Sequence, residues 1–284
     1  AAAAGTAADP DYMPVPRPRV FTGPGGREVH ANLYPPRNPQ NGPVPGERPP
    51  YAVWAHGGPT SRTPMIHDLG IAYFTSRGIG VVEVNYGGST GFGRAYRERL
   101  RENWGVVDVE DCVAAARALA DEGLADPERI AVRGGSAGGW TAAAALAFTD
   151  VFACAAILYP IVDLAGWRTG ETHDFESQYL ESLVGPWPET AQRYADRSPA
   201  NRAGDISAPF VLMQGLQDAI CPPAQAERFL ERVRGVPHAY LAFEGEQHGF
   251  RRKETIRAAL HAELSLYAQV FGFASDGPTL ELRP

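Results

Sequence analysis

From Tyr51 onward, short apolar runs rich in Val and Ile alternate with stretches that have helical spacing. An apolar run followed by a turn and a helical pattern is typical of a βα unit, and successive units form a mostly parallel sheet. The predicted strands are Tyr51–Ala55, Gly80–Val84, Ile130–Val132, Cys154–Leu158, Phe210–Met213 and Ala239–Phe243. The predicted helices are Ile66–Ser76, Val109–Asp121, Gly139–Phe148, Pro223–Val233 and Lys253–Phe271. The fold class is therefore α/β, with helices covering both faces of the sheet.

The chain before these units is rich in Pro, Gly and Ala. Residues 1–26 are predicted to be a linker or edge segment, since proline alternates there as in an extended linker. Residues 27–34 can form an edge strand, and the proline-rich residues 35–50 are predicted to be a surface loop. The remaining residues, 27–284, suit a single large catalytic domain.

Composition and charge argue against several classes of function. The formal net charge is -7, and no cluster of Lys and Arg interleaves with aromatic residues, so nucleic acid is not an expected partner. Cys112, Cys154 and Cys221 are too widely spaced for a disulfide framework or a zinc site, so no metal or cofactor is expected. No apolar run approaches the roughly 18 residues that a membrane span needs. We expect a soluble, cytoplasmic protein with no membrane partner.

Two segments match the pattern Gly-x-Ser-x-Gly, one centred on Ser89 and one on Ser136. This pattern marks a nucleophile elbow only where a strand enters it and a helix leaves it. Ser136 follows the apolar run 130–132 and precedes an Ala-rich helical pattern, whereas Ser89 is followed by more glycine and no clear helix start. We therefore predict that Ser136 is the nucleophile and that Ser89 lies in a loop.

A serine nucleophile needs a histidine base and a carboxylate that orients it, and in the α/β-hydrolase fold they follow in the order Ser, acid, His. Asp218 comes just after the run 210–213, and His248 lies in the loop after the last predicted strand. We assign these two residues as acid and base. Asp163 and Asp205 remain alternative acids, although neither follows a core strand so directly.

Acyl transfer places negative charge on the carbonyl oxygen, which needs hydrogen-bond donors already in place. The backbone N–H of Ala137, next to the nucleophile, is one expected donor of this oxyanion hole. The turn His56-Gly57-Gly58-Pro59 supplies the other, which we assign to Gly58. The same glycines are also typical of a tight turn, which is compatible with this role.

Taken together, these motifs resemble the prolyl oligopeptidase family of serine peptidases, particularly its acylaminoacyl-peptidase and dipeptidyl-aminopeptidase-like branches. The resemblance runs from about Tyr51 to the last helix. It rests on His56–Pro59, Asn85–Gly93, Trp104-Gly105 with Asp108 and Asp111, Gly134–Trp140, Gly215–Asp218 and Gln247–Phe250.

The resemblance implies further site residues and a missing domain. An apolar S1 slot beside Trp140 would be lined by Ile161, Leu164, Trp167 and Phe175. The alternative is that these side chains belong to the core. Members of the family carry an amino-terminal β-propeller, which this sequence does not encode, so the chain is interpreted as the catalytic domain of a larger enzyme.

The leading functional hypothesis is a serine peptidase that hydrolyses short peptides or aminoacyl amides through an acyl-enzyme on Ser136, without a cofactor. A carboxylesterase could use the same residues on ester substrates. A third hypothesis, a catalytically silent α/β-hydrolase that serves as a binding domain, is disfavoured because every position of the predicted triad is filled.

Overall fold

The computed structural model describes residues 9–42, 44–171 and 177–284. Within these ranges the strands form one eight-stranded sheet in the order β1-β2-β4-β3-β5-β6-β7-β8. Pairing is antiparallel between β1 and β2 and between β2 and β4, and it is parallel between all the other neighbours. The predicted mostly parallel sheet is confirmed. The strands are β1 (Arg17–Thr22), β2 (Glu28–Tyr34), β3 (Tyr51–Ala55), β4 (Gly80–Asn85), β5 (Ile130–Gly135), β6 (Cys154–Leu158), β7 (Phe210–Gly215) and β8 (His238–Phe243).

Helices cover both faces of this sheet. The helices of the described residues are α1 (Leu69–Thr75), α2 (Arg94–Arg97), α3 (Val107–Asp121), α4 (Ala137–Phe148), α5 (Leu164–Gly166), α6 (Ser177–Val184), α7 (Ala191–Arg197), α8 (Pro223–Leu230) and α9 (Lys253–Phe271). One buried apolar cluster joins α3, α4 and α8 to the sheet, and a second joins α1 and α9 to it. Each strand of the parallel part therefore has a core on either side, which explains its nearly continuous apolar sequence.

The amino-terminal edge of the sheet differs from the sequence prediction. Residues 27–34 were expected at the edge, but β2 lies between β1 and β4. The edge strand is β1, which lies in the segment predicted as a linker or edge segment. Its Pro18 pairs with Asn32, and proline is tolerated in an edge strand because its missing N–H can face solvent. The alternating prolines concealed this strand.

Polar side chains interrupt the apolar sheet face under α9. Arg133 on β5 places its guanidinium carbon 4.0 Å from the ring centroid of Trp54 and its Nε 3.0 Å from the carboxylate of Glu263 on α9. On the far side of Trp54, Glu83 accepts a hydrogen bond of 3.0 Å from the Tyr34 hydroxyl. Burial raises the pKa of Glu83 to about 7.

No helix in the described part of the chain is both long enough and apolar enough to cross a membrane.

The raised pKa of Glu83 predicts a pH-dependent stability. Between the ordinary value of 4.5 and about 7, folded Glu83 keeps a proton that the unfolded chain has lost, so the free energy of unfolding falls as pH rises. Relative to a Glu83→Gln variant, the wild-type protein should lose up to about 3 kcal/mol across this window. Urea unfolding at pH 4.5, 6 and 7.5 measures the difference.

The exposed Glu128 provides the matched control, because a Glu128→Gln variant should follow the wild-type pH dependence. A Glu83→Gln variant with the same pH dependence as the wild-type protein would show that Glu83 ionises normally in the fold.

Candidate active site

Ser136 alone forms the turn between β5 and α4. Its backbone lies at φ 58° and ψ -122°, a strained conformation for a residue with a side chain. A Cβ on Gly134 would overlap the Gly138 carbonyl, and one on Gly138 would overlap the carbonyl of Ala55. Both glycines of the motif are therefore required by close backbone contacts, which is the geometry of a nucleophile elbow.

The structure brings the three residues predicted as nucleophile, base and acid together. The Oγ atom of Ser136 lies 2.9 Å from Nε2 of His248, and Nδ1 of His248 lies 2.8 Å from Oδ2 of Asp218. The other oxygen of Asp218 accepts hydrogen bonds of 2.8 Å from the backbone N–H groups of Ile220 and Cys221. This arrangement favours the tautomer in which Nδ1–H donates to Asp218, which leaves Nε2 to accept the serine proton.

The loops that carry the acid and the base are tied together by hydrogen bonds. The N–H of Leu216 donates to the Phe243 carbonyl at 3.0 Å, and the N–H of Gln217 donates to the Glu246 carbonyl at 2.9 Å. The side-chain oxygen of Gln217 also accepts from the N–H of Gly245. The carboxylate and the imidazole are thus held as one unit at the carboxyl ends of β7 and β8.

Sequence reasoning missed the role of Glu246. This residue anchors the loop that carries His248, residues 244–252 and called the histidine loop below, to α9. Its side chain is buried, and its carboxylate accepts hydrogen bonds from the N–H groups of Arg251 at 3.0 Å and Arg252 at 2.9 Å. Because these donors lie at the amino end of α9, the loop is fixed on both sides of His248. An acidic residue shortly before a predicted helix start is the signal that could have found it.

The rival serine, Ser89, is fully buried. Its Oγ lies 2.7 Å from Nε2 of His56 and 2.7 Å from the carbonyl oxygen of Tyr86. Burial lowers the pKa of His56 to about 4, so at neutral pH its single N–H is available to donate from Nδ1 to the Gly57 carbonyl 2.7 Å away. Ser89 and His56 therefore form an inaccessible pair that supports the turn at Gly57.

The turn that carries Gly58 lies directly against the nucleophile elbow. A Cβ built on Gly57 would be 3.6 Å from the Cβ of Ser136. Gly58 has a φ of 127°, which side-chain-bearing residues rarely adopt. Among the described residues, neither Gly58 N–H nor Ala137 N–H donates a hydrogen bond to a protein acceptor. Both predicted donors are thus free to bind a ligand oxygen.

Four of the five residues assigned to the S1 slot are buried in a third apolar cluster, which also contains Ala137. The ring of Trp140 lies 5.2 Å from that of Trp104, and the indole N–H of Trp167 donates to the Ile220 carbonyl at 3.0 Å. The buried members of the predicted slot are Trp140, Ile161, Leu164 and Trp167. The fifth, Phe175, lies outside the described residues. Their burial agrees with the core alternative, and the slot stays a prediction.

The described residues contain no group of three or more His, Cys, Asp or Glu side chains that could hold a metal ion.

The geometry predicts which serine reacts with a fluorophosphonate probe. A Ser136→Ala variant should lose covalent labelling, whereas a Ser89→Ala variant should keep it, because Ser89 is buried and Nδ1 of its partner His56 contacts a backbone carbonyl. Intact-protein mass spectrometry after labelling measures both. Labelling that survives in Ser136→Ala and disappears in Ser89→Ala would reverse the assignment.

Known proteins are similar to this chain in sequence and in fold. The chain is 62% identical to a crystallised puromycin hydrolase, with a TM-score of 0.97 over 99% of this chain and 43% of that one. It is 52% identical to a puromycin-hydrolyzing peptidase of Mycobacterium tuberculosis, with a TM-score of 0.95 over 98% of this chain and 43% of that one. It is 28% identical to dipeptidyl aminopeptidase BIII of Pseudoxanthomonas mexicana, over 78% of this chain and 33% of that protein.

The chain thus spans less than half the length of each of these relatives. Residues 66–274 match the sequence profile of the prolyl oligopeptidase family. This match covers most of the chain. It includes the elbow at Ser136, the loop that carries Asp218 and the histidine loop. The chain therefore belongs to the prolyl oligopeptidase family.

Proposed function

We propose that this chain is the catalytic domain of a serine peptidase that hydrolyses short peptides or aminoacyl amides through an acyl-enzyme on Ser136. The observation that carries the proposal is the hydrogen-bonded series from Ser136 through His248 to Asp218, with distances of 2.9 Å and 2.8 Å. Serine is a weak nucleophile until a base accepts its proton, and this series provides the base and its orienting carboxylate.

The proposed reaction follows from the positions of these groups. Nε2 of His248 accepts the proton of Ser136 as Oγ attacks the carbonyl carbon, and the negative oxygen receives hydrogen bonds from the N–H groups of Gly58 and Ala137. The imidazolium, stabilised by Asp218, then donates its proton to the leaving amine. A water molecule activated by the same imidazole hydrolyses the acyl-enzyme and restores Ser136.

The names of the relatives support an aminopeptidase mode of action. Two of them are described as hydrolysing puromycin and one as a dipeptidyl aminopeptidase. Puromycin is an aminonucleoside joined by an amide bond to an aromatic amino acid whose α-amine is free. We therefore propose that the substrate carries a free amino terminus and an apolar or aromatic residue before the scissile amide.

An apolar preference is also supported by the position of the third cluster. This cluster contains Ala137, the residue after Ser136, so the apolar side chains of the cluster begin immediately beside the nucleophile. We propose that Trp140, Ile161, Leu164, Trp167 and Phe175 form the wall of the S1 pocket. In this proposal these side chains line a pocket next to the oxyanion donors and are not only part of the core.

We further propose that an amino-terminal β-propeller domain of the same protein limits access to this site. The support is the length of the relatives, since this chain matches only 43% of each related solved chain. A covering domain would restrict the enzyme to short substrates and would complete the recognition of the amino terminus.

Hydrolysis of matched phenylalanyl anilides with free and acetylated amino termini tests the proposed specificity, with the full-length protein, puromycin and a short-chain nitrophenyl ester run in parallel. We expect the free-amine anilide to be cleaved at least about tenfold faster than the acetylated one, because an unpaired recognition group costs the reaction more than 1 kcal/mol. Puromycin should be cleaved as well.

The Ser136→Ala variant is the control and should be inactive on all four compounds. Faster cleavage of the acetylated anilide would replace the proposal by an acylaminoacyl-peptidase. Turnover of the ester alone would indicate a carboxylesterase, and full activity of Ser136→Ala would contradict the nucleophile.

A further inference from the structure

Tyr159 follows the last residue of β6 and has an unusual backbone conformation. Its φ is 34°, and the other positive-φ residues with side chains in the described part of the chain are Glu102 and Ser136. Tyrosine has no local preference for this region, so the surrounding structure must hold it there. Two strained residues, Ser136 and Tyr159, therefore stand at the carboxyl ends of the adjacent strands β5 and β6.

Hydrogen bonds on both sides fix the backbone at Tyr159. Its N–H donates to the carbonyl of Met213 on β7 at 2.7 Å. The carbonyl of the preceding residue, Leu158, accepts the N–H of Ser136 at 3.0 Å. A single peptide group, the one that joins Leu158 to Tyr159, thus binds the N–H of Ser136 on one side and β7 on the other.

The ring of Tyr159 contacts the base. Its centroid lies 5.1 Å from that of the His248 imidazole, with an angle of 69° between the planes, and 5.2 Å from that of Phe250 at 88°. Edge-to-face contacts of this kind restrict the rotation of both rings. Asp218 and Ser136 bind the two ring nitrogens of His248, but these hydrogen bonds leave the imidazole plane free to rotate about the line between them.

The same ring also packs on the elbow. A Cβ added to Gly135 would lie 2.7 Å from the hydroxyl oxygen of Tyr159 and 2.8 Å from its Cε2. The residue before the nucleophile must therefore be glycine for this ring to fit. The phenol of Tyr159 therefore contacts both the nucleophile elbow and His248.

From these contacts we propose that Tyr159 is a positioning residue, whose aromatic ring sets the tilt of the His248 imidazole relative to Ser136. The inference rests on the proposed roles of Ser136 and His248. The aromatic ring carries this role and not the hydroxyl, since the ring makes the contacts to His248 and Phe250. Burial raises the pKa of Tyr159, so the phenol stays neutral at the pH of the reaction.

Two substitutions separate the ring from the backbone. Tyr159→Phe keeps the ring and removes the hydroxyl. Tyr159→Asn removes the ring but keeps a residue that adopts positive φ more readily than most. Because asparagine fits this backbone better than tyrosine, backbone strain cannot explain a loss of kcat in Tyr159→Asn, and such a loss reports the missing ring.

We expect Tyr159→Asn to lower kcat by roughly 10- to 100-fold, because a small misplacement of a catalytic group has an effect of this size. The KM for puromycin or for the phenylalanyl anilide should stay within about threefold, since ground-state binding is not altered. Tyr159→Phe should keep kcat within about threefold of the wild-type value. Steady-state kinetics and thermal denaturation of the full-length protein give these quantities.

Each other result contradicts the inference. Equal losses in Tyr159→Phe and Tyr159→Asn would assign the role to the hydroxyl. A Tyr159→Asn variant with normal kcat and a lower melting temperature would leave the ring with a structural role only. If Tyr159→Asn does not fold, Phe250→Leu removes the second ring that supports Tyr159 and should lower kcat in the same way, and an unchanged kcat there overturns the proposal.

The proposed function is tested separately in the same assay. If Ser136→Ala retains activity, the assignment of the nucleophile is wrong, and the inference about Tyr159 fails together with it. If Ser136→Ala is inactive and both Tyr159 variants match the wild-type protein, the function stands and only the inference fails.

Discussion

The site depends on the contact between the amino end of α4 and the carboxyl ends of β3 and β5. There is no room for a side chain where Gly134 meets Gly138 or where Gly138 meets Ala55. This close approach forces Ser136 into a strained turn and places the Ala137 N–H at the first residue of α4, where its partial positive charge suits a negative oxygen. The proposed nucleophile and the proposed oxyanion donor thus result from one steric constraint.

The parallel sheet brings the remaining groups to the same edge. The loop that carries Asp218 follows β7, and the loop that carries His248 follows β8. Backbone hydrogen bonds join these two loops to each other. Residues far apart in sequence meet because the carboxyl ends of parallel strands lie side by side. His56 and Ser89, which lie after β3 and β4, form a second histidine–serine pair that supports the turn at Gly57, and Ser89 is fully buried there.

The sequence was sufficient to predict the parallel sheet and to place Ser136 in a turn between a strand and a helix, because both follow from local patterns: apolar runs before turns, and a helical pattern after this serine. It was not sufficient for β1, where proline masked an edge strand, or for Tyr159, whose backbone and ring contacts exist only when β6, the elbow and the histidine loop are assembled. Whether Trp140 belongs to a pocket or to the core is likewise a property of tertiary packing, which spacing alone does not encode.

The positive φ at Ser136 and Tyr159 also bears on how such a chain evolves. Replacement of Ser136 by glycine would relieve backbone strain of roughly 1 to 3 kcal/mol, whereas at Tyr159 the lost ring contacts to His248 and Phe250 would offset this relief. Under the proposed function, the serine at the end of β5 thus serves activity at a cost in stability. Variants with compensating stabilisation elsewhere, for example in the helices remote from the site, are then the ones that can tolerate further change around the nucleophile.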